Sequence, residues 1–167
     1  MTIRPIVRFP DERLRRPCQP VTRFDDALAA LAADLTQTMR AAPGIGITAA
    51  HIGEPIRLVV IELDGPQSTR IYANPEIEWT SEEVGMHTEG SVSMPGVVEE
   101  VARPLRIRVR YQDLAGASRI EETDGLLAVC LQHEIDQLEG IFWIDRLSRL
   151  KRDRIVKKFR KLQMDRG

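Results

Sequence analysis

Residues 105–112 read Leu-Arg-Ile-Arg-Val-Arg-Tyr-Gln, with Leu105, Ile107, Val109 and Tyr111 alternating strictly with Arg106, Arg108, Arg110 and Gln112. A period of two places the first set on one face and the second on the other, which is a β-strand with one side buried and one wet. Such a strand needs neighbours and a cover for its apolar face. Asp113 to Gly116 supplies a turn and Arg119 to Glu122 a returning strand. Thr123 or Asp124 is then placed to cap a helix over Gly125 to Leu138, stopped by Gly140. Upstream, Asp25 caps a helix running to about Arg40, with Leu28, Leu31, Ala32, Leu35 and Met39 on one face, before Pro43-Gly44 ends it. Arg57 to Leu63 is a continuous apolar, β-branched run expected as a buried strand, and Arg70 to Ala73 a shorter one before Asn74-Pro75. The order predicts a single α+β domain over 1–167, antiparallel sheet packed around one central helix, with a further helix at the C-terminus.

Charge is distributed unevenly. The chain carries 24 Lys+Arg and 25 Asp+Glu, a net charge of −1. Residues 145–167 hold ten Lys+Arg against three acidic residues, so +7 of that −1 lies in the tail and −8 in the rest. All four lysines, Lys151, Lys157, Lys158 and Lys161, belong to the tail, and Ile155, Phe159 and Leu162 recur at helical spacing. The segment therefore predicts an amphipathic basic helix, either docked by its apolar stripe alone or also touching RNA. The near-neutral whole favours neither DNA nor a membrane as partner. Two cysteines and three histidines exclude a disulfide scaffold and a Cys-rich zinc module. The start, MTIRPIVRFP, lacks the features of a secretory signal, and no apolar run approaches the ~20 residues of a membrane span. A cytoplasmic location with reduced Cys18 and Cys130 is expected.

Three segments carry chemistry. On the central helix, His133-Glu134-Ile135-Asp136-Gln137 puts His133 and Gln137 four residues apart on one face with Glu134 beside them. With a second histidine this would be the HExxH metal-hydrolase arrangement; here an amide stands in its place. The other two are Glu89-Gly90-Ser91-Val92-Ser93-Met94-Pro95-Gly96 and Gly44-Ile45-Gly46-Ile47-Thr48-Ala49-Ala50-His51-Ile52-Gly53, whose small residues let backbone amides approach a ligand. In order and spacing the three resemble the signature motifs of the peptide deformylases, the enzymes that remove the formyl group from the N-terminal methionine of nascent chains. Asp11-Glu12-Arg13-Leu14-Arg15 and Gly140 to Arg146 extend the likeness over nearly the whole chain.

The resemblance implies the deformylase fold and a site with a divalent metal, iron or zinc, held by one cysteine and two histidines. Ser91 stands at the cysteine position and Gln137 at the second histidine, so only His133 of the three is retained. A hydroxyl and a neutral amide are poor ligands beside thiolate and imidazole, so metal is expected to bind weakly or not at all. The family's general acid/base corresponds to Glu134. Its oxyanion donors correspond to the Val92 backbone N–H and a glutamine side chain, replaced here by His51. The pocket walls correspond to Gly44, Gly46, His87, Glu89, Gly90, Val129 and Cys130. Formyl-methionine hydrolysis is thus expected to be absent or very weak. One alternative is an active metal-dependent formyl-peptide or amide hydrolase with a relocated site built from His51, His133 and His87 beside Glu134. Another is a non-catalytic factor that binds peptide N-termini or, through the basic helix, the ribosome.

Overall fold

The computed structural model describes residues 1–166. Helix α1 spans Asp26–Ala41, with the Asp25 carboxylate accepting the Leu28 N–H at its start. Strands follow as β1 (Gly46–Thr48), β2 (Leu58–Ile61), β3 (Arg70–Thr80), β4 (Val84–Ser91), β5 (Met94–Pro104), β6 (Arg106–Gln112) and β7 (Ser118–Asp124). Helix α2 covers Gly125–Leu138, a 3-10 turn Trp143–Arg146, and helix α3 Arg149–Arg166; Gly167, the last residue of the predicted basic tail, lies outside the described residues. Among the described residues no helix is long and apolar enough to cross a membrane.

Five strands form one antiparallel sheet in the order β1-β2-β3-β6-β7, while β4 and β5 make a separate hairpin. The expected burial of β6 is found: Ile107 and Val109 are fully buried and the arginines lie on the other face. The unbroken apolar run of β2 has a reason that periodicity could not supply. Val59 and Ile61 pack with Leu131, Ile135 and Leu138 of α2, while Leu58 and Val60 pack with Leu28, Leu35 and Met39 of α1. Both faces of β2 are covered, so neither needs polar residues. Around β2 the sheet is thus a layer between α1 and α2. Over the β4–β5 hairpin, Met94, Val97 and Val101 share a third core with Trp143, Ile155 and Phe159, which seats the apolar stripe of α3.

Three expectations are corrected. β3 does not stop at Asn74-Pro75 but continues to Thr80, because a bulge between Ala73 and Glu76 absorbs the proline. Asn74 adopts a positive φ of 51° there, and its amide both accepts the Val21 N–H and donates to the Val21 carbonyl. The cap of α2 falls on Asp124, yet its side chain makes no capping bond. The segment around Glu89 to Gly96 is not a separate loop but the tip of the β4–β5 hairpin, closed across Ser91 and Met94. After α2 the chain reverses at Gly140, whose φ is +78° and whose missing Cβ would fall 2.5 Å from the Arg15 carbonyl oxygen. Only glycine fits that turn.

Candidate functional site

A cleft of about 500 Å³ opens between three elements. One wall is the 42–46 segment leading into β1, the second is the β4–β5 tip from Thr88 to Val98, and the floor is α2. Helical spacing brings Leu126, Val129, Cys130, His133 and Glu134 to this floor, because residues three and four apart share a helix face. Gly44 is needed at the wall: a Cβ there would lie 2.7 Å from Val92 Cγ1. Gly46 brings backbone close to the floor, its absent Cβ 3.4 Å from the Glu134 carboxyl carbon. β1 is the last strand of its sheet. The Ile45 carbonyl accepts the Glu62 N–H on the β2 side, so by the alternation of a ladder the Gly46 N–H and C=O face away from β2, along the free edge.

The floor is polar and tightly partnered on one side. Glu89 Oε1 is 2.8 Å from His133 Nδ1, and both oxygens of Glu89 accept from the Arg103 guanidinium at 2.8 and 2.9 Å. Arg103 also donates to Asp136 at 2.6 Å, and Asp136 receives two bonds from Arg146. Burial works against the Glu89 charge, yet Arg103 and His133 hold its pKa down at about 2. Burial also works against the charge of His133, but its bond to Glu89 and the Glu134 carboxyl raise its pKa.

On the other side of the floor, polar atoms are left without partners. Glu134 Oε1 is 3.7 Å from His133 Nε2, and Glu134 Oε2 is buried with no hydrogen bond. Burial pushes the Glu134 pKa up to about 7. His51 lies in a 3-10 turn, Ala49–Ile52, where its Nδ1 accepts the Thr48 N–H at 2.9 Å and Nε2 has no partner. That bond puts the proton of the neutral ring on Nε2. Burial, then the charge of His133, depresses the His51 pKa to about 3. Burial likewise pushes the Cys130 thiol up to about 12, so it is no ready ligand.

These residues do not fit a divalent metal. The Ser91 oxygen accepts the Ser93 N–H across the hairpin tip at 3.1 Å, and the Gln137 amide donates to the Leu14 carbonyl at 2.7 Å, one turn behind the cleft. Both replaced positions are thus engaged in bonds that hold the fold. Among the described residues no three His, Cys, Asp or Glu side chains are grouped to hold one ion.

The cleft gathers Gly44, Gly46, Glu89, Gly90, Ser91, Val92, Val129, Cys130, His133 and Glu134 as expected, but not His87, His51 or Gln137. His87 shares the Glu89 face of β4 yet lies two residues back, about 7 Å further from the hairpin tip, so it is no pocket wall. The relocated three-histidine metal site is therefore not assembled. Sequence reasoning missed Arg103 and Asp136, which hold Glu89 beneath His133. An arginine within the apolar stretch Val101-Ala102-Arg103-Pro104 was the available signal, and the fold buries it.

A profile of the polypeptide deformylase family matches residues 3–153. A Bradyrhizobium diazoefficiens protein named peptide deformylase-like is 64% identical over 162 residues, covering 97% of this chain and 95% of its own. A peptide deformylase of Afipia carboxidovorans is 46% identical over 164 residues, covering 96% of each. The crystal structure of a peptide deformylase from Legionella pneumophila matches with a TM-score of 0.93 at 38% identity, over 99% of this chain and 98% of that one. That of a Synechococcus elongatus peptide deformylase in complex with actinonin matches at 0.89 and 36%, over 95% and 86%.

Proposed function

This chain belongs to the polypeptide deformylase family, and we propose that within it the chain keeps the peptide cleft but not the metal-dependent removal of the formyl group. The observation that carries this reading is the engagement of Ser91 and Gln137 in bonds to Ser93 N–H and the Leu14 carbonyl. A hydroxyl and an amide are weak donors to begin with. Committed to the backbone, they leave His133, whose Nδ1 is bonded to Glu89, as the one retained ligand. Without a metal to acidify water, Glu134 loses the partner that makes a carboxylate useful as a base in such hydrolysis.

Binding remains supported. The free edge of β1 offers the Gly46 N–H and C=O to an extended peptide, and Val92, Val97 and Val129 line an apolar recess beside it. Glu134 Oε2, a buried atom without a hydrogen bond at the cleft floor, suits the polar head of a peptide N-terminus. The test is metal analysis of untagged protein with turnover and calorimetric binding of a formyl-Met peptide, iron or zinc added. Binding without turnover or stoichiometric metal is expected, and a Ser91→Cys/Gln137→His variant should gain metal. Turnover by the unaltered chain that disappears in Glu134→Ala would overturn the reading.

A second reading, contact with ribosomal RNA, draws on α3. Its Lys157, Lys158 and Lys161 are exposed and form no ion pair among the described residues. Salt-sensitive co-sedimentation with ribosomes, lost when the three are neutralised, is the expected result; unchanged sedimentation would dismiss it.

A further inference from the structure

The five-stranded sheet ends on two different strands, β1 beside the cleft and β7 at the opposite side. β1 is three residues long, whereas β7 offers seven, Ser118–Asp124. Two bonds fix the direction of its backbone groups. The Asp113 N–H donates to the Ala117 carbonyl at the β6–β7 turn, and the Ser81 N–H donates to the Arg106 carbonyl on the β3 side. Alternation along the ladder then turns the N–H and C=O of Arg119, Glu121 and Thr123 towards β6 and leaves those of Ser118, Ile120 and Glu122 along the free edge. A row of unpaired groups is a template for another strand unless it is protected. β7 contains no proline, pairs with β6 residue for residue, and exposes 60% of Ile120. What guards this edge is charge. Arg119 and Glu121 share the sheet face of Ile107 and Val109, while Ile120 and Glu122 lie on the outer face.

We propose that β7 pairs antiparallel with β7 of a second copy of this chain, about a twofold axis at Ile120, joining the two five-stranded sheets into one. Charge selects both the occupant and the register. An axis at Arg119 sets that arginine against its own copy, and axes at Glu121 or Glu122 do the same for those glutamates. Like charges directly opposite one another are destabilising. An axis at Ser118 would bring most of β7 past the end of its partner. With the axis at Ile120, Arg119 faces the partner's Glu121, Glu121 faces the partner's Arg119, and Ser118 faces the partner's Glu122. Ile120 exchanges both of its edge-facing backbone bonds with its copy, and the two isoleucine side chains meet on the outer face. The Arg119–Glu121 positions exchange no backbone bonds, so they are the closely spaced kind of pair, with Cβ atoms about 4.5–5.5 Å apart.

Both charged groups have capacity for the added contact. Arg119 gives Nε and Nη2 to Asp113, leaving Nη1 without a bond among the described residues. Glu121 accepts one bond on each oxygen, from the Tyr72 hydroxyl at 2.7 Å and Arg70 at 2.9 Å, and keeps a lone pair on each. The same strand meets itself, so the contact closes on two copies and does not propagate into a fibre. β1 and the cleft lie at the other end of each sheet and stay open. The pairing is therefore independent of the peptide-binding reading.

The test is sedimentation equilibrium of the untagged full-length chain from micromolar to sub-millimolar concentration. The unaltered chain should pass from the monomer mass to twice that mass. Arg119→Glu and Glu121→Arg each oppose like charges across the axis and should raise the dissociation constant about tenfold or more. An equimolar mixture of the two variants restores opposite charges at both positions and should regain the dimer. That recovery also answers for folding, since a misfolded chain would not regain the contact. Ile120→Cys should form a disulfide-linked dimer under mild oxidation, because the hydrogen-bonded pair lies about 5.5 Å apart at Cα. Glu122→Cys, about 14 Å along the strand from its copy, should not. Cys18 and Cys130 are buried and do not compete. Monomer at every concentration, dissociation unchanged in both charge variants, a mixture that stays monomeric, or equal cross-linking through Glu122→Cys overturns the proposal.

Discussion

Neighbouring strands of this protein place arginines in opposite surroundings. On β6, Arg106, Arg108 and Arg110 project to solvent and meet Glu83, Glu122 and Glu78, with Arg108 also lying over the Trp79 ring. On β5, three residues before β6 begins, the Arg103 side chain is only 4% exposed and bridges Glu89 and Asp136 beneath the cleft. The first set holds ions that water would solvate nearly as well. The second holds ions that have no water to return to, so each member depends on the others. Identical side chains therefore decorate a surface in one strand and set the orientation of a site histidine in the next.

The comparison can be broken most sharply at Arg103. Arg103→Met leaves Glu89 and Asp136 buried with one cationic partner each, and should cost about 3–5 kcal/mol in urea unfolding. A cost under about 1 kcal/mol would show that the network is no more than a covered surface pair.

Acid gives the next effect. The folded pKa of Glu89, about 2, is below its ordinary 4.5. Its contribution is therefore complete above pH 4.5 and is lost as pH falls towards 2, amounting to about 3 kcal/mol. Glu134 has the opposite sign: with its pKa raised to about 7, it favours the fold below pH 4.5 and that advantage is lost as pH rises through 7. Unfolding midpoints across pH should therefore peak on the acid side of neutrality. Glu89→Gln should flatten the acid limb and Glu134→Gln the other.

The smallest effect belongs to β6. Arg108→Ala should cost less than about 1 kcal/mol, and most of the Glu122 share should vanish in 1 M salt while the Arg103 effect persists.

Much of this was legible beforehand. The alternation of β6, the cap and apolar face of α1, the extent of α2 and the docking stripe of α3 follow from local spacing, which depends only on near neighbours in the chain. The chemistry-bearing segments were legible as residue types: Ser91 and Gln137 are poor ligands wherever they lie. The β4–β5 hairpin was not, since Val84 to Ser91 mixes Gly, Thr, His and Glu and its strand character comes from the seven-pair ladder with β5. Nor was the exclusion of His87, Gln137 and His51 from the cleft lining, because a strand offset of two residues or one helical turn moves a side chain out of reach without altering its chemistry.

By itself, then, the sequence determined which atoms this protein has for chemistry: one histidine of the expected ligand set, a serine for a thiol, an amide for an imidazole, and an acid beside them. Tertiary structure alone decided what those atoms are bonded to. Ser91 turns to Ser93, Gln137 to Leu14, and His133 to a glutamate that an arginine from β5 holds in place. Donor strength is a property of a residue, but availability depends on what the rest of the fold brings within 3 Å of it.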